Sequence, residues 1–146
     1  MKSLFRLGVL VAGLVIFGYA EGWGADWQYF SSGADGTIYW YDAQGITYYP
    51  NKVIQVWIKK IKADEIMNIV KSDAKITASE LEQMTSGRNY EQSLIEIDCA
   101  EKTFSRLQRL NYNSKGVLKS GESEPSAKKR IRKNSNAEKL REIVCK

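Results

Sequence analysis

The chain has 146 residues, of which 43% are hydrophobic, and carries 22 Lys and Arg against 17 Asp and Glu. That length suits one domain with one modest core, and so mild a basicity is not the footprint of a dedicated nucleic-acid binder. Histidine is absent, which removes Ser-His and Cys-His nucleophile pairs, a histidine-ligated haem and the commonest metal ligand together.

The opening stretch, MKSLFRLGVLVAGLVIFGYA, has the three parts of a secretory signal peptide. Lys2 and Arg6 form the positive region, Leu7 to Phe17 the apolar region, and Gly18-Tyr19-Ala20 supplies small residues for cleavage after Ala20. Gly22 to Gly24 offers a second site. The apolar run falls short of the ~18 residues a spanning helix needs, so no transmembrane span is expected in the mature chain. An uncleaved amphipathic or membrane anchor is the alternative. No cysteine follows the run to carry a lipoprotein's acyl chains. The expected organisation is therefore a signal peptide over 1–20 and a single domain over 21–146. The protein is expected to be exported, and to be periplasmic, outer-membrane associated or secreted. In an oxidising compartment its cysteines, Cys99 and Cys145, read as one disulfide. Closing the loop from Cys99 to Cys145 stabilises by up to ~4 kcal/mol on the chain-entropy account.

Past the leader, aromatic residues and turn signals alternate. Trp27 to Ser31 reads as a first strand, broken at Asp35-Gly36, where a tight hairpin needs positive φ. "TIYWYD" resumes as a second strand with Ile38 and Trp40 on one face and Tyr39 and Tyr41 on the other. Ile46 to Tyr49 is a short third strand stopped by Pro50-Asn51. Val53 to Ile61 is the fourth, with Ile54, Val56 and Ile58 on its apolar face and Gln55, Trp57 and Lys59 opposite. Hairpin-length turns join these strands, which makes an antiparallel meander.

From Asp64 to Asn89 the periodicity becomes helical. Ile66, Ile69 and Val70 share helical spacing, and Thr77 with Glu80 forms a capping box for a short helix. Strand patterning returns in "SLIEIDC", with Ile95, Ile97 and Cys99 on one face and Leu94, Glu96 and Asp98 on the other. Thr103 to Tyr112 is a sixth strand whose alternation slips, predicting a bulge near Leu107. Asn113 to Gly116 is a turn, and "VLKS" a brief return strand. Ser120 to Asn134 reads as a surface loop. Ser135 and Glu138 make a second capping box, ahead of a helix from Asn136 to Val144 with Ala137, Leu140, Ile143 and Val144 as its apolar stripe. So short a helix is unstable alone and needs anchoring, and Cys145 is placed to turn toward the sheet at its end.

Taken in order, Trp27, "YWYD" at Tyr39 to Asp42, "VIQVWIK" at Val53 to Lys59 and "IDCAEKTFSRL" at Ile97 to Leu107 resemble the surface-adhesin protein E-like family of exported bacterial proteins. Tyr112, Gly116 and "SNAEKLREIVC" at Ser135 to Cys145 continue the resemblance over nearly the whole mature chain. It implies an α+β fold: a curved antiparallel β-sheet of about six strands, with a C-terminal α-helix packed on one face and tied there by a disulfide. It also implies adhesion to an extracellular protein. The sequence departs from the family pattern before the last helix, where "KKRIRKNS" stands in place of a Trp and a Pro-Gly turn, and in lacking a lipid-bearing cysteine.

For chemistry, Glu96 and Asp98 share a strand face at the spacing of a carboxylate pair, but alternation alone explains them as a solvated face. No phosphate loop or nucleophile elbow is present, and cysteines tied in a disulfide leave no zinc site, so no catalytic residue, metal or cofactor is expected. The basic run Lys128, Lys129, Arg130, Arg132 and Lys133 either holds a polyanion, such as lipopolysaccharide, a glycosaminoglycan or extracellular nucleic acid, or is a solvated loop beside the acidic "GESE". Trp40, Tyr41, Tyr48, Tyr49 and Trp57 either line a binding surface or pack across strands. The leading functional reading is an exported, non-catalytic binding module that contacts an extracellular or envelope macromolecule. The others are an accessory envelope protein, a homodimer through exposed sheet edges, and a small-ligand carrier using an aromatic face.

Overall fold

The computed structural model describes residues 25–63 and 77–146. The signal-peptide expectation and the helical spacing at Ile66, Ile69 and Val70 lie outside them. The described chain forms one antiparallel sheet: β1 (Trp27–Ser32), β2 (Thr37–Asp42), β3 (Thr47–Tyr49), β4 (Val53–Lys62), β5 (Tyr90–Asp98), β6 (Thr103–Tyr112), β7 (Leu118–Glu122) and β8 (Lys129–Arg130). Helix α1 spans Ala78–Thr85 and helix α2 spans Asn136–Val144. Strands run in the order β1-β2-β4-β5-β6-β7, with β3 beside β4 and β8 beside β6.

Two expectations need correction. Among the described residues there are eight strands and not six, and the sheet is open, with β1 and β7 at its two ends, where a curved sheet was expected. The reason lies at the outer edge of β6, a ten-residue strand whose polar backbone needs partners. The stretch read as a surface loop supplies them in pieces. β7 pairs with Arg109 to Tyr112, and β8 pairs with Thr103 and Phe104. Between them Ser126 exchanges two bonds with Arg106, its N–H donating to Arg106 O at 2.8 Å and its Oγ accepting from Arg106 N at 2.8 Å. Pro125, which has no N–H to give, falls in the interruption.

Turn chemistry sets the hairpins. Gly36 adopts φ 83° between β1 and β2, a conformation that costs other residues a Cβ clash. Asp35 Oδ1 accepts the Thr37 N–H at 3.2 Å, and bonds from the Thr37 side chain and then its backbone hold the Asp35 carboxyl below its ordinary value. After β2, Asp42 Oδ1 accepts from Gln44 N at 3.1 Å, and a Cβ on Gly45 would run into that same carboxylate. Gly116, at φ 77°, closes the turn that Asn113 Oδ1 caps by accepting from Lys115 N and Val117 N, each at 2.9 Å.

The pleat then divides the side chains between two faces. On one, Ile54, Val56 and Ile58 of β4 sit across from Ile97, Ile95 and Ser93 of β5. The first five hydrophobic of these join Leu140 and Val144 of α2 in the larger core, with Phe104, Ile131 and the disulfide packed around them. Each such side chain contributes ~1.5–3 kcal/mol on burial. The opposite face holds a smaller core of Ile38, Trp40, Ile61 and Ala63, flanked by Trp27 and Tyr90. Lys59 lies between those flanking rings, its Nζ 5.7 Å from the Trp27 centroid and 4.8 Å from that of Tyr90.

Three register shifts adjust this pattern; at the edge, β6 and β7 slip between Asn111 and Tyr112, with Lys119 as the extra residue. The β5–β6 register jumps so that Leu94 faces Gln108 and Ile95 faces Arg106. Leu107 is left as the extra residue, where the slipped alternation placed it. In β1 the register jumps between Tyr29 and Ser31, and Phe30 packs against the larger core while the buried Ser31 bonds to α2. A bulge re-aims side chains in this way.

Helix α2 is held at both ends. Ser135 caps it, its Oγ accepting the Glu138 N–H at 3.1 Å, and the Glu138 carboxylate reaches back to the Asn134 N–H. Asn136 Oδ1 accepts from Ser31 Oγ at 2.5 Å. At the far end Cys145 leaves helical geometry and bonds to Cys99, with Cα atoms 5.8 Å apart. Helix α1 begins on a fully reciprocal capping box, Glu80 N to Thr77 Oγ1 at 3.2 Å and Thr77 N to Glu80 Oε2 at 2.8 Å.

Candidate functional site

The basic run occupies β8 and the turn into α2. Lys128, Lys129, Arg130, Arg132 and Lys133 are all exposed. Their odd neighbour, Ile131, packs into the larger core and donates its N–H to Lys102 O at 2.9 Å. An inward apolar pin and a short ladder to β6 therefore present the cations outward from a fixed strip. A groove of about 620 Å³ lies between this strip and the start of α2, lined by Phe104, Lys129, Arg130, Arg132, Ser135 and Asn136, with Ala137 beside them.

Charge pairing sharpens the character of that strip. None of its five cations forms an ion pair among the described residues. Glu122, an acid of the adjacent "GESE", instead bonds to Arg109 Nη2 at 2.8 Å. Arg109 in turn lies 3.7 Å from Glu91, which pairs with Lys60 at 3.2 Å. A ladder of alternating charge thus crosses β4, β5, β6 and β7 and takes Glu122 away from the basic run. Each partly exposed pair is worth at most ~1 kcal/mol, but together they hold Glu122 away from the run's cations.

The five aromatic candidates do not share a surface. Trp40 is 2% exposed and belongs to the smaller core. Trp57 is half-buried on the same face, across from Leu94. Tyr41 points to the other face, its ring 6.0 Å from that of Phe30. Tyr48 and Tyr49, on the three-residue β3, are exposed at 68% and 45%. Adjacent residues of a strand point to opposite faces, so a run of aromatics in sequence is divided in space.

Glu96 and Asp98 are engaged separately. Glu96 Oε2 accepts from Gln55 Nε2 at 2.9 Å across the strands. Asp98 Oδ1 accepts the Ala100 and Glu101 N–H groups at 3.1 and 3.0 Å, capping the turn into β6. Burial pushes the Tyr39 and Tyr90 hydroxyls up, reinforced by Asp35 beside the first and Tyr112 beside the second. Among the described residues no cluster of three acids or thiols is placed to hold a metal, and no helix is long and apolar enough to cross a membrane.

One grouping is not evident from spacing at all. Lys52, Arg141 and Lys146 line a small cavity with Tyr48, Tyr49 and the disulfide, and the closure of Cys99 on Cys145, with the burial of Val144 in one core with Ile54, brings these segments together.

In comparison with known proteins, no curated protein and no solved structure matches the sequence. A sequence model of one family, described as Surface-adhesin protein E, matches residues 27–146. That match runs from the first residue of β1 through the disulfide, so it takes in the whole sheet, the clamped helix and the basic strip. The chain belongs to the surface-adhesin protein E family.

Proposed function

We propose that this adhesin-like protein is exported behind a cleaved leader and acts as a non-catalytic binding module, meeting a polyanionic extracellular or envelope macromolecule along the β8–α2 strip. The observation that carries this is the set of five exposed cations with no acid paired to them, fixed in place by Ile131 and the β6 ladder. Fixed charges lose less freedom on binding than charges on a mobile loop, and their field speeds the encounter with an anion. Five phosphate or sulfate contacts would make binding fall steeply with salt.

The test is heparin affinity of the exported protein, whose intact mass beginning at Glu21 checks cleavage in the same preparation. Retention should need elevated salt for elution. It should be lost when Lys128, Lys129, Arg130, Arg132 and Lys133 are changed to Gln, with the far-ultraviolet spectrum unchanged. Salt-independent retention, or retention by the neutralised variant, would remove the strip from the binding site.

A second reading, an accessory envelope protein that self-pairs, is favoured by one feature. The outer edge strand β7 is exposed throughout, its first residue Leu118 and the preceding Val117 being 51% and 55% exposed. A concentration-dependent dimer that Leu118→Lys abolishes would support it.

A further inference from the structure

Where β3, the disulfide and the end of α2 meet, Tyr48, Tyr49, Lys52, Arg141, Cys145 and Lys146 line a cavity of about 270 Å³. This is the far end of α2 from the basic strip. Tyr48, at 68%, is the most exposed large apolar side chain among the described residues. Tyr49, next along the strand, turns its ring to the opposite face, where its hydroxyl lies 3.4 Å from Gln55 Oε1. Asn51 and Lys52 hold left-handed φ values of 66° and 60° in succession, an uncommon conformation for side chains of this kind. The chain turns there so that Tyr48 and Lys52 border one hollow.

The chemistry of the lining is specific. No carboxylate among the described residues pairs with Lys52, Arg141 or Lys146. Arg141 Nε is closed off from solvent and has no acceptor, so the guanidinium is held at the hollow without a counter-charge. The carbonyl end of α2 offsets part of the positive field, but the Arg141 carbonyl is already taken by the Cys145 N–H at 2.8 Å. At about 270 Å³ the hollow is below the range of ~300–1,000 Å³ typical of drug-sized ligands, so it holds one small ring or one side chain. The exposed Tyr48 ring gives a flat apolar face with a hydroxyl at the edge, and an arginine fork matches a carboxylate. A carboxylate on a flexible side chain would use the cations and leave the ring uncovered. A carboxylated pyranose uses both.

We infer that this hollow is a binding pocket for a single acidic sugar unit, with the sugar's apolar face on Tyr48 and its carboxylate toward Arg141, Lys52 and Lys146. The site is independent of the basic strip.

The test is a ¹⁵N amide titration of the oxidised full chain with glucuronic acid and N-acetylneuraminic acid. Glucose serves as the neutral control and N-acetylglutamate as the acidic side-chain control. Saturable shifts are expected at Tyr48 to Ile54 and Arg141 to Lys146 with the acidic sugars. Affinity should fall about tenfold in Arg141→Gln and in Tyr48→Ala, and stay unchanged when the five cations of the strip are neutralised. Amide spectra of each variant check folding, and Arg141→Lys, which keeps charge without the fork, should fall between the extremes. Equal response to glucose would overturn the role of the cations and with it the proposal. Equal response to N-acetylglutamate, with Tyr48→Ala without effect, would assign the pocket to an acidic side chain instead. No saturable shift with either acidic sugar would overturn the site.

Discussion

The two ends of α2 are fastened by different physics. At the N-terminal end the helix is held by hydrogen bonds: Ser135 to Glu138, Asn134 to Glu138, and Ser31 of the β1 bulge to Asn136. At the C-terminal end it is held by buried Leu140 and Val144 and by the bond from Cys145 to Cys99. Hydrogen bonds exchange with water and are worth ~1 kcal/mol net, whereas burial and covalent closure are each worth several times that. A nine-residue helix has little stability of its own, so the C-terminal end bears most of the load and the N-terminal end sets the direction.

That contrast can be broken in three places. Cys145→Ser should have the largest effect, a loss of up to ~4 kcal/mol in chemical denaturation, with the helix released and the apolar face of Ile95 and Ile97 exposed to a hydrophobic dye. An unchanged midpoint would show that packing alone holds the helix. Next, Leu140→Ala should cost ~2–3 kcal/mol, the low end for a buried Leu because a nine-residue helix can settle into the gap, while leaving the disulfide formed, as intact mass would show. A loss below ~1 kcal/mol would mean that the core closes without α2. Ser135→Ala should cost least, ~1 kcal/mol, read as a small shift in midpoint with the far end still protected from amide exchange. A loss equal to that of Cys145→Ser would erase the distinction between the ends.

Much of the architecture was legible because it is written locally. The alternation of Ile38 and Trp40 against Tyr39 and Tyr41, and of Ile95 and Ile97 against Leu94 and Glu96, needs only the pleat. Each capping box spans one helical turn, and the slip at Leu107 shows in the strand's own pattern. Where partners are distant the reading fell short. Lys129 and Arg130 have no strand propensity to speak of, and they pair because Thr103 and Phe104 offer an open edge. Trp40 looks like a binding residue until Ile61 and Ala63 are seen packed with it. The hollow around Arg141 depends on a link across 46 residues, and no spacing rule reaches that far. The candidate strip was found by its charge, but its freedom from acidic partners emerged only when Glu122 was seen to reach Arg109.

The place of Cys145 has a consequence in time. Its partner opens the segment that holds β6, β7, β8 and α2, so every residue of those elements must have emerged before the ring can shut. A chain delivered from its N-terminus, by a ribosome or through a translocation pore, therefore builds β1 to β5 with both thiols still separate. During that interval the face of Ile54, Val56, Ile58, Ile95 and Ile97 lacks its lid and is open to wrong partners. The covalent lock cannot steer the early steps of folding, and can only ratify a sheet that has already found its register.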